Sequence, residues 1–325
     1  MSQAASSIAV HSSIPAAAPP ANSTLRDVAM LVRPRIAMMV LVTVVAAMGL
    51  TVAGPQDAAA VVAAPGRLAV AMLLAGTALV AASSSIANQI LERATDRLMP
   101  RTARRPLAAG RMSPAVAWVW AAASLVMGSA MIVFAAGAWA AIAAGFTWAL
   151  YLVAYTPMKR TTPLNTAVGA IAGAMPVAIG WCAAGGPERL AAGVYEQAVA
   201  VAALGTILYL WQFPHFMAIA WLYREQYAAA GLKMLTTVDP SGLRAAGQSM
   251  AAAMAMVPAS LVLAVPTGSV RLFFAAAMLA VLYLAATIHF AIRRDDRSAR
   301  RLLLASLGTL LGLLSASMLL GGRIG

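Results

Sequence analysis

Nine apolar runs, each close to the roughly 18–20 residues needed to cross the hydrocarbon of a bilayer, occupy most of this 325-residue chain. They are Ile36–Ala53, Leu68–Leu91, Ala115–Ala136, Ala138–Tyr155, Pro163–Ala184, Val199–Leu222, Ala245–Val265, Val270–Ile292 and Leu302–Leu320. Only Gly137 separates the third from the fourth, so a hairpin is expected there. Runs of this length specify membrane-crossing helices. The expected fold class is therefore all-α, a polytopic membrane protein of nine transmembrane helices. Hydrophobic residues make up 62% of the chain and charged residues 10%, with a mean hydropathy of +0.82, values that exclude an ordinary soluble domain.

The charges say how the spans are oriented. A net charge of +13 would suit a nucleic-acid partner, but the basic residues fall in short connections between apolar runs, which indicates topology instead. With the N-terminus in the cytoplasm, only Arg67, Arg189, Arg271 and Arg323 of the 23 Lys and Arg lie on the opposite side. Cytoplasmic connections carry the excess of Lys and Arg, so the expected topology is N-terminus inside and C-terminus outside. Met1 to Ser23 is rich in Ala, Ser and Pro, and no Lys or Arg precedes Arg26. That matches neither a secretory signal nor a mitochondrial transit peptide. Residues 1–24 are expected to be a disordered cytoplasmic tail and residues 25–325 one transmembrane domain, in the inner membrane of a bacterium. Cys182, the one cysteine, lies inside a span and can form no internal disulfide.

The most informative polar segment leaves the second span. Asn88, Glu92 and Asp96 stand four apart, so on a helix all three share one face over roughly 12 Å of axis. Two of the chain's ten acidic residues are thus placed at the mouth of a membrane helix. Around them lie Arg93, Arg97, Arg101, Arg104, Arg105 and Arg111. Solvated helix ends also collect arginines, but they do not require a ladder of hard oxygens. Oxygen ligands beside clustered guanidinium groups suit a diphosphate carried on magnesium.

Three further polar segments should share that face. Lys159 and Arg160 follow Pro157 in a tight connection, placed either to reach phosphate or simply to obey the charge asymmetry. In the sixth span, His215 follows Pro214 and is flanked by Trp211, Phe213 and Phe216. Polar groups at membrane depth are costly. His215 is either hydrogen-bonded to a neighbouring helix or set against a planar macrocycle such as haem. Glu225 is the natural second carboxylate centre, and Asp239 adds another if its loop folds back. The third segment is Arg293 to Arg297. Gly169 with Gly173, and Gly308 with Gly312, have the spacing of close helix packing. No P-loop, HExxH, CxxC or nucleophile elbow is present.

Asn88-x-x-x-Glu92-x-x-x-Asp96, with Met99-x-Arg101-Thr102-x-x-Arg105-Pro106-Leu107-x-x-Gly110, resembles the first signature of the intramembrane UbiA-type prenyltransferases. Three more stretches resemble the protohaem IX farnesyltransferase (haem O synthase) branch: Tyr155 to Thr166, Gly169 to Trp181, and Trp211-Gln212-x-Pro214-His215-Phe216. The resemblance spans roughly residues 25–320. It implies nine helices around a central cavity, with farnesyl diphosphate and haem B as substrates. It implies Mg²⁺ on Asn88, Glu92 and Asp96, to which the reading of the residues adds Glu225 as a further ligand. It also implies diphosphate on Arg101, Arg105, Lys159 and Arg160, haem facing Trp211 and His215, and Tyr227 in the substrate site. A haem A synthase or oxidase assembly factor is the implied protein partner. The chain departs from the pattern at Gln226, where family members often carry Asp before the Tyr, and that leaves the role of Glu225 open. Two other readings compete: a prenyltransferase acting on an aromatic quinone precursor, and a haem-handling membrane protein without catalysis.

Overall fold

The computed structural model describes residues 24–52 and 65–320; the expected tail, Met1 to Ser23, lies outside the described residues. Every regular element within them is helical. A short helix α1 (Thr24–Val32) precedes α2 (Pro34–Val52), α3 (Arg67–Asp96) and α4 (Pro114–Ala149). A π-helical turn, Leu150–Tyr155, then leads into α5 (Thr156–Thr161), α6 (Asn165–Ala174), α7 (Pro176–Ala183) and α8 (Gly186–Ala191). The chain continues through α9 (Glu196–Leu222), α10 (Arg224–Ala229), α11 (Leu235–Val238), α12 (Leu243–Ala264), α13 (Val270–Arg293) and α14 (Asp296–Leu320).

Among the described residues, eight continuous helical stretches are long and apolar enough to cross a membrane. One of them, Pro114–Thr161, has 48 residues. Drawn straight it would extend roughly 72 Å, more than twice the hydrocarbon thickness. It does not run straight. Ala117 and Ala121, near its start, share a core cluster with Leu152, near its end, and with Ile86 and Ile90 of α3. Deeper in, Ile132 and Ala140 share another cluster with Leu73. Both arms therefore lie along α3 in opposite directions, and the chain reverses at Gly137 (φ 77°, ψ −179°). That backbone region is essentially reserved for glycine. The expected hairpin is present.

Local chemistry sets the helix boundaries. Ser113 accepts a hydrogen bond from the Val116 amide at 3.2 Å, with Pro114 at the first helical position, a strong start for α4. At α1 the exposed carbonyls of the last turn are taken by side chains of α3. Gln89 Nε2 donates to Met30 O at 3.1 Å and Leu31 O at 2.9 Å, while Ser85 Oγ donates to Leu31 O at 2.6 Å. Gln89 is the neighbour of Asn88, so this brace also fixes the helix that carries the oxygen ladder.

Small residues set the closest helix approaches. A Cβ on Gly76 would sit 2.7 Å from the Gly128 carbonyl oxygen, and one on Gly128 equally close to that of Gly76. Gly169 lies against the Tyr155 ring and Gly173 against the Gln212 side chain, as their spacing predicts. In the other pair only Gly312 has a neighbour, Leu279. Gly308 faces open space, so that pair is not a two-point contact.

Two packed groups result. In one, α3 and the two arms of α4 close on each other; in the other, α9, α12, α13 and α14 do. Helices α2, α6 and α7 touch both groups, while α3 and α9 have no extensive packing against each other. The ladder and the histidine segment thus belong to different groups.

Candidate active site

Asn88, Glu92 and Asp96 fall on the last turns of α3, as their spacing predicts, and all are engaged. The π turn brings Thr156 up to them. Thr156 Oγ donates to Asn88 Oδ1 at 2.9 Å, sharing its proton with Tyr151 O at the same distance. Asn88 Nδ2 donates to Glu92 Oε2 at 2.8 Å, and Lys159 Nζ lies 2.8 Å from Glu92 Oε1. The Thr156 donor and the Glu92 acceptor together fix which way the Asn88 amide faces. One turn on, Arg105 Nη1 lies 2.7 Å from Asp96 Oδ2, an oxygen pair whose side chain is only 2% exposed. The hydroxyl of Thr102 closes the helix end by donating to Asp96 O at 2.9 Å. Each carboxylate therefore has one cation. Neither could be buried without it, because an unpaired buried charge costs about 3–5 kcal/mol.

The remaining expected phosphate ligands gather at this end. Arg160 donates to the Thr95 hydroxyl. The Arg101 guanidinium lies over two rings, 4.3 Å from the Tyr223 centroid and 4.6 Å from that of Tyr227, and donates to the Tyr227 hydroxyl. Lys159 also lies 4.4 Å from the centre of the Tyr155 ring. The segment after α10 is tied down beside them. The Lys233 amide donates to Lys159 O at 2.7 Å, and Asn165 Nδ2 donates to Lys233 O at 3.0 Å. Arg101, Arg105, Lys159, Arg160 and Tyr227 thus converge on the mouth that Glu92 and Asp96 define.

Glu225 is placed differently. It is exposed on α10, whereas the next residues turn inward: Tyr227 is buried, and Gln226 buries its Oε1 without a hydrogen-bond partner. Helical phase decides this, since neighbouring residues on a helix point about 100° apart. Asp239 is spent locally. It accepts from the Ser241 hydroxyl and from the Arg244 amide, at 2.8 Å in the latter case, and these bonds hold its carboxyl below the usual carboxylate range. Among the described residues no three His, Cys, Asp or Glu come together as a metal cage. Glu92 and Asp96 still fit a magnesium ion shared with substrate, because such sites use one or two carboxylates and complete the shell with phosphate and water oxygens.

The histidine segment is built differently. His215 Nδ1 lies 2.7 Å from Ser306 Oγ on α14, which answers the first of the two expectations: the histidine is bonded to a neighbouring helix. Its ring is stacked on Trp211, with centroids 4.6 Å apart and planes at 24°. Trp211 Nε1 donates to Ser306 O at 2.7 Å, and the Tyr283 hydroxyl donates to Trp211 O at 2.8 Å. Sequence reasoning missed Thr156, Ser306 and Tyr283. Thr156 stands inside a quoted motif and was within reach. Ser306 and Tyr283 lie in apolar runs among many similar residues, and nothing local marks them.

The comparisons identify the class of protein as an intramembrane prenyltransferase. Residues 40–313 match the UbiA prenyltransferase family, and the chain belongs to that family. A protein of Rhodopirellula baltica named protoheme IX farnesyltransferase is 42% identical over 85% of this chain and 93% of its own length. One of the same name from Opitutus terrae is 35% identical over 90% and 93%. Among solved structures, a digeranylgeranylglyceryl phosphate synthase superposes with a TM-score of 0.71 at 14% identity, over 91% of this chain and 98% of that one. A UbiA homologue from Archaeoglobus fulgidus bound to GPP and Mg²⁺ gives 0.59 at 16% identity, over 89% and 99%. At such identities the structures establish the fold.

Proposed function

We propose that this chain transfers the farnesyl group of farnesyl diphosphate to a vinyl group of haem B, giving haem O and diphosphate. The near full-length likeness to proteins named protoheme IX farnesyltransferase carries the choice of substrates. The geometry supplies the chemistry. The C–O bond of the allylic diphosphate breaks, and its electron pair leaves with the diphosphate. The farnesyl C1 bonds to the terminal vinyl carbon, water adds to the other vinyl carbon, and one proton is lost to solvent.

Asn88, Glu92 and Asp96 would hold magnesium, which when bound neutralises the diphosphate and stabilises the departing charge. Lys159 and Arg105, which balance Glu92 and Asp96, would supply cationic donors to the diphosphate oxygens beside the metal. Arg101 and Arg160 add donors at the same mouth, aimed where charge develops. Tyr223 and Tyr227 keep the Arg101 guanidinium flat and oriented. Apolar helix walls keep water from the allylic cation until the vinyl carbon has reacted. Haem B lies towards Trp211 and His215, on the α9 side.

The charge asymmetry supports a bacterial inner-membrane topology with the mouth and N-terminus in the cytoplasm and the C-terminus outside. A phosphatase reporter that folds only in the periplasm should be active when fused after Gly325; an inactive fusion would reverse the orientation. The product suits a haem A synthase or an oxidase assembly factor as recipient, and co-purification with either tests that. The reaction is tested by diphosphate release from farnesyl diphosphate and Mg²⁺. Release should depend on haem B. Release that depends instead on a phenolic acid would move the acceptor to quinone precursors.

A further inference from the structure

The bonds around His215 fix more than its position. Ser306 Oγ lies 2.6 Å from Leu303 O, one turn back on α14, and 2.7 Å from His215 Nδ1. A hydroxyl has one proton to give. Two oxygens at that separation need the proton between them, so Ser306 donates to Leu303 O. Its lone pair then faces Nδ1, and in the neutral ring the proton must sit on Nδ1. Nε2 is left with the lone pair, and no described group hydrogen-bonds to it.

The same serine fixes the ring plane. Its carbonyl accepts from Trp211 Nε1, and Trp211 is the surface on which the imidazole stacks. Tyr283 on α13 holds the Trp211 carbonyl from the other side. Ser306 is fully buried. An imidazole whose Nδ1–H is held by a neutral acceptor, with Nε2 open, is prepared to ligate iron.

We propose that Ser306 is a positioning residue: it sets the tautomer and plane of His215 so that Nε2 ligates the iron of the haem substrate. Haem is thereby held from its metal, leaving the ring edge with its vinyl groups for the prenyl cation. This rests on haem B being the acceptor. Ser306 itself touches neither iron nor prenyl chain.

The test uses the full chain in nanodiscs with ferrous haem B, read by resonance Raman spectroscopy of the iron–histidine stretch and by haem titration. The unaltered chain should show the stretch, and His215→Ala should abolish it. Ser306→Ala should keep a band at lower frequency, because the ligand loses its Nδ1 acceptor, and should weaken haem binding about ten-fold. Ser306→Thr, which retains a hydroxyl, should restore the frequency. Farnesyl diphosphate affinity should not change in any variant. A Ser306→Ala band and affinity equal to those of the unaltered chain would overturn the proposal. A band that survives His215→Ala would also overturn it, while leaving haem as acceptor intact. No haem binding by the unaltered chain would remove both the proposal and the acceptor it rests on.

Discussion

The ladder on α3 and the histidine segment on α9 are two polar sites in one apolar bundle, built on opposite principles. At the ladder every carboxylate is met by a cation: Glu92 by Lys159 and Asp96 by Arg105. Such pairs can be exchanged, because a magnesium diphosphate offers each partner an equivalent charge. At the histidine no formal charge takes part. Neutral donors and acceptors from α9, α13 and α14 lock His215 and Trp211 in place. An exchangeable site suits a leaving group that arrives and departs charged, and a locked one suits orienting a large flat acceptor.

Substitutions separate the two most clearly where the ladder is cut. Asp96→Asn keeps size but removes the charge that Arg105 and magnesium share, and kcat/KM should fall by about 10³-fold. The purified protein should keep its helical circular dichroism, and EDTA should reproduce the loss in the unaltered chain. Residual activity within ten-fold would remove the metal assignment.

His215→Ala should weaken haem binding by about 30-fold or more, with farnesyl diphosphate affinity unchanged in parallel titrations. Equal loss of both ligands would reduce the histidine to a packing role and erase the contrast with the ladder. Thr156→Val comes next. It leaves Asn88 Oδ1 buried without its donor, which should lower kcat/KM about ten-fold, while Thr156→Ser should retain activity. Kinetics of the pair at saturating haem B would show whether the π turn positions the ladder.

Two further changes lie outside both sites and calibrate them. Gly137→Ala meets no neighbouring atom, so its cost is only the glycine-restricted backbone, about 1–3 kcal/mol of stability. Thermal unfolding should register it and specific activity should not. Unchanged stability would mean that the reversal does not depend on that conformation. Smallest of all should be Asp296→Asn. Arg224–Asp296 spans 2.8 Å like the ladder pairs, but its side chains are 34% and 52% exposed. Exposed pairs contribute about 1 kcal/mol or less, so a shift in melting temperature as large as that of Asp96→Asn would contradict the ladder's dependence on burial.

The same contrast explains what could be read in the sequence. The ladder is local: three residues at a spacing of four, on a helix marked by its apolarity, declare their common face directly. The apolar spans and the reversal at Gly137 are legible for a similar reason, since length and a single glycine decide them. Failures came where geometry depends on partners far along the chain. Ser306 is 91 residues from His215, and Tyr283 is 72 from Trp211, so neither could be matched from sequence alone. The environment of Glu225 is hidden in the sequence for a different reason. The sequence shows a carboxylate at a helix end, but the turn at Tyr223 sets the phase that leaves it exposed and buries Tyr227. Gly308 shows the limit of a spacing rule whose partner helix is unknown.

The central claim is that one chain joins a metal-dependent diphosphate site to a haem acceptor. It is tested most directly by mass spectrometry of haem extracted after incubating purified protein with haem B, farnesyl diphosphate and Mg²⁺. The account predicts a haem heavier by one farnesyl group and one water, absent when EDTA is present. Unmodified haem from folded protein that prenylates a quinone precursor under the same conditions would contradict it.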